Sequence, residues 1–249
     1  MVTERWLHGA LTLALAPVLL LQGRWVRHRT PRLPEPPGPR SGVVGQGPVL
    51  RLLILGDSSA AGVGAAHQDE ALSGRLTQAL SGDFTVHWTL LACTGHKMHD
   101  AVAALQSLAP QPLDVVVTAL GANDATGGTR KAHWLQGLQV LEADVRERFE
   151  APHLVLSALP PMHCFPALPQ PLRWYMGRCA HRLNRAQQRW STEQGGCAVV
   201  GADFPMEARF MADDGFHPGP LAYELWATSL ARHIRVQQDR FSSLLPHVG

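Results

Sequence analysis

In the stretch RLLILGDSSAAGVG, residues 51–64, an apolar run stops at Gly56-Asp57-Ser58 and gives way to small residues. A serine placed there is a candidate nucleophile, although Gly-Asp-Ser is equally an ordinary turn composition. A hydroxyl at neutral pH is a poor nucleophile unless a base takes its proton. The chain offers such a base late in its length, in Asp213-Asp214-Gly215-Phe216-His217-Pro218. Asp214 and His217 are three residues apart in a loop bounded by Gly and Pro. That spacing lets the carboxylate fold back onto the Nδ1 proton of the imidazole while Nε2 faces outward. Two further polar groups stand out, the turn Thr94-Gly95 and Asn123 in Gly121-Ala122-Asn123-Asp124.

The elements that must position these groups follow from the apolar pattern. Residues 50–55 read as a strand buried on both faces, and residues 84–91 and 113–120 as the second and third strands, the last being the most β-branched stretch of the chain. Residues 153–159 and Cys197–Val200 make the fourth and fifth. Helices are expected over 68–80, 98–108, 133–149, 172–194 and 223–236, the first with Leu72, Leu76 and Leu80 on one face. Regular alternation of strand and helix implies a parallel sheet covered by helices on both faces, with right-handed crossovers. In such a sheet the carboxyl ends of the strands share one edge, so Ser58, Thr94-Gly95 and Asn123, each just beyond a strand, meet in one crevice.

Taken together these residues resemble the SGNH, or GDSL-type, hydrolase family, over about residues 51–231. The first family block stands as ILGDSSAAG, with Ser59 where the family usually has leucine; Gly95 in ACTGH matches the glycine of the second block, where Ala92 and Cys93 stand in place of the usual asparagine; Gly121-Ala122-Asn123-Asp124 is the third and Asp214-Gly215-Phe216-His217-Pro218 the last. The resemblance implies a three-layer α/β/α sandwich of flavodoxin-like layering with about five parallel strands. It implies a carboxylic ester hydrolase acting on short- to medium-chain acyl esters through an acyl-enzyme, without cofactor or metal. By the same resemblance Ser58 is the nucleophile, His217 the base and then acid, and Asp214 the residue that orients it, with Asp213 left to solvent. The backbone N–H groups of Ser58 and Gly95 and the amide of Asn123 would form the oxyanion hole. The chemistry agrees: fixed donors aimed at the oxygen that gains charge each contribute a few kcal/mol, about 2.7–4 for one well-placed donor. Asn donates without a charge to desolvate, and glycine lets the backbone approach closely. Two alternatives stand beside this reading: an acyltransferase or deacetylase working on an ester of a sugar or another alcohol, and a catalytically silent binding domain of the same fold.

Other residues carry less. His96, His99 and Asp100 are a possible metal cluster, but they fall on a turn and helix start, and acyl transfer needs no metal. Cys93 is expected buried at a strand end. Gly56, Gly62 and Gly64 lack the Gly-Lys-Ser/Thr of a phosphate loop and the Gly-x-Gly-x-x-Gly spacing of a dinucleotide fold. The four cysteines contain no CxxC pair, which argues against zinc ribbons and dense disulfide scaffolds and leaves one bridge, Cys164 to Cys179, open.

The 249 residues suffice for one large α/β domain; their formal net charge of +2, with arginines scattered instead of interleaved with aromatics, gives nucleic-acid binding no support. Residues 1–30 form an apolar, signal-like or membrane-anchoring segment, richest over 10–21 and flanked by Arg24, Arg27, Arg29 and Arg32. By the positive-inside tendency the domain beyond it is expected to be membrane-associated and to face the cytoplasm. An exported or periplasmic protein, and a soluble one whose first helix packs on the domain, are the alternatives. Residues 31–48, with six prolines and four glycines, read as an extended tether, and the catalytic domain is expected over 49–249. The proline-rich loop 160–171 lies beyond the fourth strand, on the active-site edge. Phe165, Leu168, Trp174 and Tyr175 are therefore candidates for the wall of an acyl pocket that takes a small-molecule or lipid-like ester.

Overall fold

The computed structural model describes residues 2–201, 204–205 and 207–244. In chain order they form α1 (Val2–Arg29), β1 (Ser41–Val44), β2 (Val49–Gly56), α2 (Ser58–Ala61), α3 (Leu72–Leu80), β3 (Thr85–Ala92), α4 (Met98–Ser107), β4 (Val115–Ala119), α5 (Ala122–Thr126), α6 (Lys131–Arg148), β5 (His153–Ser157), α7 (Leu172–Glu193), β6 (Cys197–Val200) and α8 (Pro220–Leu244), joined by loops and short 3-10 turns.

The sheet runs β1-β3-β2-β4-β5-β6. Strands β2 to β6 are mutually parallel, and β1 pairs antiparallel with β3 at one edge. Counted among themselves the parallel strands have the order 2-1-3-4-5, the doubly wound arrangement whose winding reverses between the first and third strands. Here that reversal lies between β2 and β4, and the crevice it opens is at their carboxyl ends.

Alternation along each strand builds two cores. Leu53 and Leu55 of β2, Val116 of β4, and Leu154 and Leu156 of β5 face α4, α6 and α7; Leu52 and Ile54, Val115 and Val117, and Val155 face α3 and α8. This is why β4 reads as an unbroken β-branched run: all five of its residues are buried. Leu138 of α6 and Leu230 of α8, both fully buried, each contribute roughly 1.5–3 kcal/mol of burial to their layer. The result is a three-layer α/β/α sandwich. The expected strands are present within a few residues of where the pattern put them.

The N-terminal segment departs from expectation. No helix among the described residues is long and apolar enough to cross a membrane. Helix α1 instead commits one side to the domain: Leu19 is buried in the core shared by α4, α6 and α7, with Leu15 and Val26 packed against it. Its Gln22 donates to Gln170 O at 2.7 Å and accepts the Leu172 N–H at 3.0 Å, joining it to the start of α7. The expected anchor, and with it the membrane association and the orientation toward the cytoplasm, is therefore overturned. The polar Gln22 that interrupts the apolar run serves a packed helix and not a span. Residues 31–48 likewise do more than tether, since Ser41–Val44 within them is the edge strand. All four cysteines are free, and Cys93 is exposed on the turn after β3 instead of buried.

Candidate active site

Strand β2 delivers Ser58. Gly56 ends the strand where a Cβ would meet both Ala119 O and Ala60 Cβ at 2.4 Å, so only glycine lets β2 turn into α2 while β4 stays paired beside it. Asp57 then caps α2. Its N–H donates to Ala119 O at 3.1 Å, and its carboxylate accepts the Ser59 N–H at 2.9 Å. Burial pushes the Asp57 carboxyl up to about 6 against the opposing pull of that hydrogen bond. Ser58, first residue of α2, is itself buried.

His217 arrives from the loop before α8. The loop folds as a tight hairpin: the Ala212 N–H donates to His217 O at 2.9 Å and the Gly219 N–H to Phe210 O at 2.8 Å. Within it Asp214 Oδ1 accepts the N–H groups of Phe216 and His217, both at 2.9 Å. That leaves Oδ2 to accept from His217 Nδ1 at 2.6 Å, and places His217 Nε2 at 2.9 Å from Ser58 Oγ. An ionised carboxylate only accepts, so the Nδ1 nitrogen carries the proton and Nε2 presents its lone pair to the serine hydroxyl. Burial alone would raise the Asp214 carboxyl, but the hydrogen bonds from the His217 side chain and from the two backbone N–H groups outweigh it and hold it below its ordinary value. Asp213, its neighbour, is exposed.

The opposite wall comes from the turn after β3 and the start of α5. Gly95 has φ +91°, a left-handed conformation open to glycine. Asn123 Nδ2 donates to His96 O at 3.0 Å, which ties α5 to this turn and leaves the second amide proton of Asn123 uncommitted. Asp124 reinforces the joint by accepting the Met98 N–H at 2.9 Å and the Thr129 hydroxyl at 3.0 Å; burial raises its carboxyl, with the Met98 hydrogen bond opposing. Among the described residues the N–H groups of Ser58 and Gly95 make no hydrogen bond within the protein. Such an array can take the proton from a hydroxyl and stabilise an oxyanion.

Ser58, Gly95, Asn123 and His217 share a cavity of about 190 Å³ with Phe165, Phe204, Met211, Phe216 and Trp226. Phe165 meets Phe216 edge to face, ring centroids 5.1 Å apart, and Phe216 in turn abuts His217. Of the four apolar residues expected to wall the pocket, only Phe165 does so. Leu168 is buried in the core under α7, and Trp174 and Tyr175 line a separate groove of about 1290 Å³ with Arg178 and Arg182. The helical phase of α7 turns them away from the serine. The walls that sequence reasoning missed, Phe204, Met211 and Trp226, come from the chain after β6 and from α8. Trp226 is simply one apolar position among many in an amphipathic pattern. His99 pairs with Asp100 at 3.2 Å on the surface, and His96 contributes its backbone carbonyl to Asn123.

Residues 54–225 match the model of the GDSL-like Lipase/Acylhydrolase family. The chain is similar to the GDSL-like esterase Rv1075c of Mycobacterium tuberculosis, at 29% identity over 241 residues that cover 87% of this chain and 76% of that protein. Among solved structures it is similar to a member of the lipolytic protein G-D-S-L family from Veillonella parvula, with a TM-score of 0.60 at 11% identity, covering 74% of this chain and 97% of that one. It is also similar to Est24, a carbohydrate acetylesterase from Sinorhizobium meliloti, with a TM-score of 0.56 at 18% identity over 76% and 99% of the two chains.

Proposed function

Since the chain belongs to the GDSL-like lipase/acylhydrolase family and is a serine hydrolase of the esterase type, we propose that Ser58, His217 and Asp214 carry its chemistry and that its substrate is a short acyl ester, acetyl in the first place, of a sugar or another alcohol. His217 Nε2 takes the Ser58 proton as Oγ attacks the ester carbonyl. The N–H groups of Ser58 and Gly95 and the free amide proton of Asn123 receive the oxygen that becomes negative. The tetrahedral intermediate collapses, the alcohol leaves with the proton from His217, and a water activated by the same imidazole releases the acid from the acyl-enzyme. Asp214 holds the imidazole in the productive tautomer and stabilises it while charged.

One observation carries the reading: the chain of hydrogen bonds from Asp214 through His217 to Ser58, 2.6 and 2.9 Å, beside two N–H groups that make no hydrogen bond among the described residues. The acyl size rests on the cavity. Its 190 Å³ is below the roughly 300–1,000 Å³ usual for small-molecule sites, and two of its walls, Phe165 and Phe216, are aromatic rings in edge-to-face contact. This favours a group shorter than the medium-length chains expected from the loop at 160–171. The similarity to a carbohydrate acetylesterase is consistent with it. The test is an acyl series on p-nitrophenyl esters, with an acetylated sugar alongside. The reading expects kcat/KM to peak at acetyl to butanoyl and fall at hexanoyl. A profile that climbs through octanoyl would remove the short-acyl reading.

A further inference from the structure

The proline-rich stretch before β1 is laid along the sheet instead of hanging free. Pro36 is buried, Pro37 O accepts the Gln68 N–H at 3.0 Å, and Arg40 O accepts the Leu90 N–H at 2.7 Å. Between these fixed points the chain carries Glu35 to the catalytic edge. Glu35 Oε1 accepts both the N–H and the hydroxyl of Thr94, at 2.7 and 2.8 Å. Its other oxygen accepts from Arg40 Nη1 at 2.9 Å, and the second arm of Arg40 donates to Ala92 O, two residues before Thr94.

Thr94 directly precedes Gly95, and the peptide between them bears the N–H assigned above to the oxyanion. The Asn123 amide holds the far side of this turn through His96 O, but on the Thr94 side little besides Glu35 does. Cys93, Thr94 and Gly95 are all exposed, and nothing lies within 4 Å of where a Gly95 Cβ would be. The backbone bonds that close the turn, Cys93 N–H to Gly56 O and His96 N–H to Cys93 O, are long, at 3.3 and 3.2 Å. Hydrogen bonds to an ionised carboxylate are shorter and roughly twice as strong as neutral ones. Building on the proposed function, we propose that Glu35 is a positioning residue for the oxyanion hole: from outside the family blocks it clamps Thr94 so that the Gly95 N–H stays aimed at the reacting oxygen. Arg40 completes the device. A bare carboxylate near a developing oxyanion would oppose it, and the guanidinium neutralises that charge while gripping the strand end. Burial would raise the Glu35 carboxyl, but the bonds from Thr94 and Arg40 more than offset this and keep it below its ordinary value, so the clamp is ionised in the neutral range.

The experiment compares Glu35→Ala and Glu35→Gln in the full chain by steady-state kinetics on p-nitrophenyl acetate, thermal unfolding, and hydrogen exchange of a peptide covering 93–97. Glu35→Ala should lower kcat about 10- to 100-fold with KM within about twofold, since small misplacements of fixed catalytic groups cost rates of this order. Exchange at 93–97 should quicken about tenfold while β2 and β4 stay protected. Glu35→Gln, which keeps an oxygen for Thr94, should recover kcat to within about threefold of wild type. Unchanged kcat or unchanged exchange at 93–97 in Glu35→Ala overturns the proposal. So does a loss of kcat that tracks faster exchange across the whole core, which would make Glu35 a general stabiliser. If the wild type hydrolyses no ester, the functional reading falls separately, and exchange at 93–97 still decides whether Glu35 holds the turn.

Discussion

Replacing Asn123 by alanine removes two interactions of different kinds, and the structure separates their effects. One amide proton is committed to His96 O at 3.0 Å. This partly buried neutral bond is worth about 1 kcal/mol of stability, or about 2–4 °C in Tm for a chain of this size. The other proton is assigned to the oxyanion, where it acts only once charge has developed. Removing one such donor costs about 2.7–4 kcal/mol of transition-state stabilisation, roughly 10²–10³ in kcat. Asn123→Ala should therefore lose kcat on p-nitrophenyl acetate by about that factor with KM nearly constant and only a small fall in Tm. Asn123→Asp has nearly the same shape but sets a carboxylate against both the oxyanion and the His96 carbonyl, and should be slower still. A kcat for Asn123→Ala within about threefold of wild type refutes the reasoning. So does a large rise in KM at constant kcat, because a uniform loss of binding is not what an oxyanion donor supplies.

Phe165→Ala should open the cavity of the catalytic serine and move the acyl optimum toward hexanoyl, whereas Trp174→Ala, on the separate α7 groove, should leave the chain-length profile unchanged; an acyl series on both variants checks this, and a shifted profile in the second would put α7 back in substrate selection. At the foot of β5, buried His153 faces His233, Nε2 to Nε2 at 3.0 Å, and burial together with His233 drives the His153 imidazole down to about 4. The unfolded chain, with histidine near 6.5, takes the proton first, so this contribution is complete above about pH 6.5 and is lost as pH falls toward 4, by at most about 1.4 kcal/mol per unit. Urea midpoints measured from pH 7.5 to 4.5 should fall less steeply in His153→Gln than in wild type, and parallel slopes would dismiss His153 as the cause.

Much of this site is legible because its chemistry is local. Asp214 and His217 sit three residues apart in one hairpin, and Ser58 and Asn123 each follow a strand whose burial is written in its own apolar run. Parallel topology alone brings them to the same edge. The rest depends on contacts between distant segments. Ser41–Val44 leaves no burial pattern to read, since all four residues are exposed and its pairing with β3 is what makes it a strand. Whether Trp174 or Trp226 faces the serine is decided by the rotation of α7 and α8 against the sheet, which local periodicity does not reveal. The apolar run of α1 does not by itself name its partner, and the burial of Leu19 in the core and the bonds of Gln22 to Gln170 and Leu172 identify it as the domain. Glu35 lies in a stretch whose composition suggests only an extended chain.

The central claim is that Ser58 is activated by His217, and covalent labelling tests it most directly. A fluorophosphonate probe followed by intact-mass and peptide analysis should give one adduct, on Ser58. Labelling should vanish in Ser58→Ala, together with turnover of p-nitrophenyl acetate and without loss of Tm, and should slow by orders of magnitude in His217→Ala, which removes the base 2.9 Å from Oγ. Labelling or turnover that persists at the wild-type level in Ser58→Ala, or an adduct on a different residue, would contradict the account.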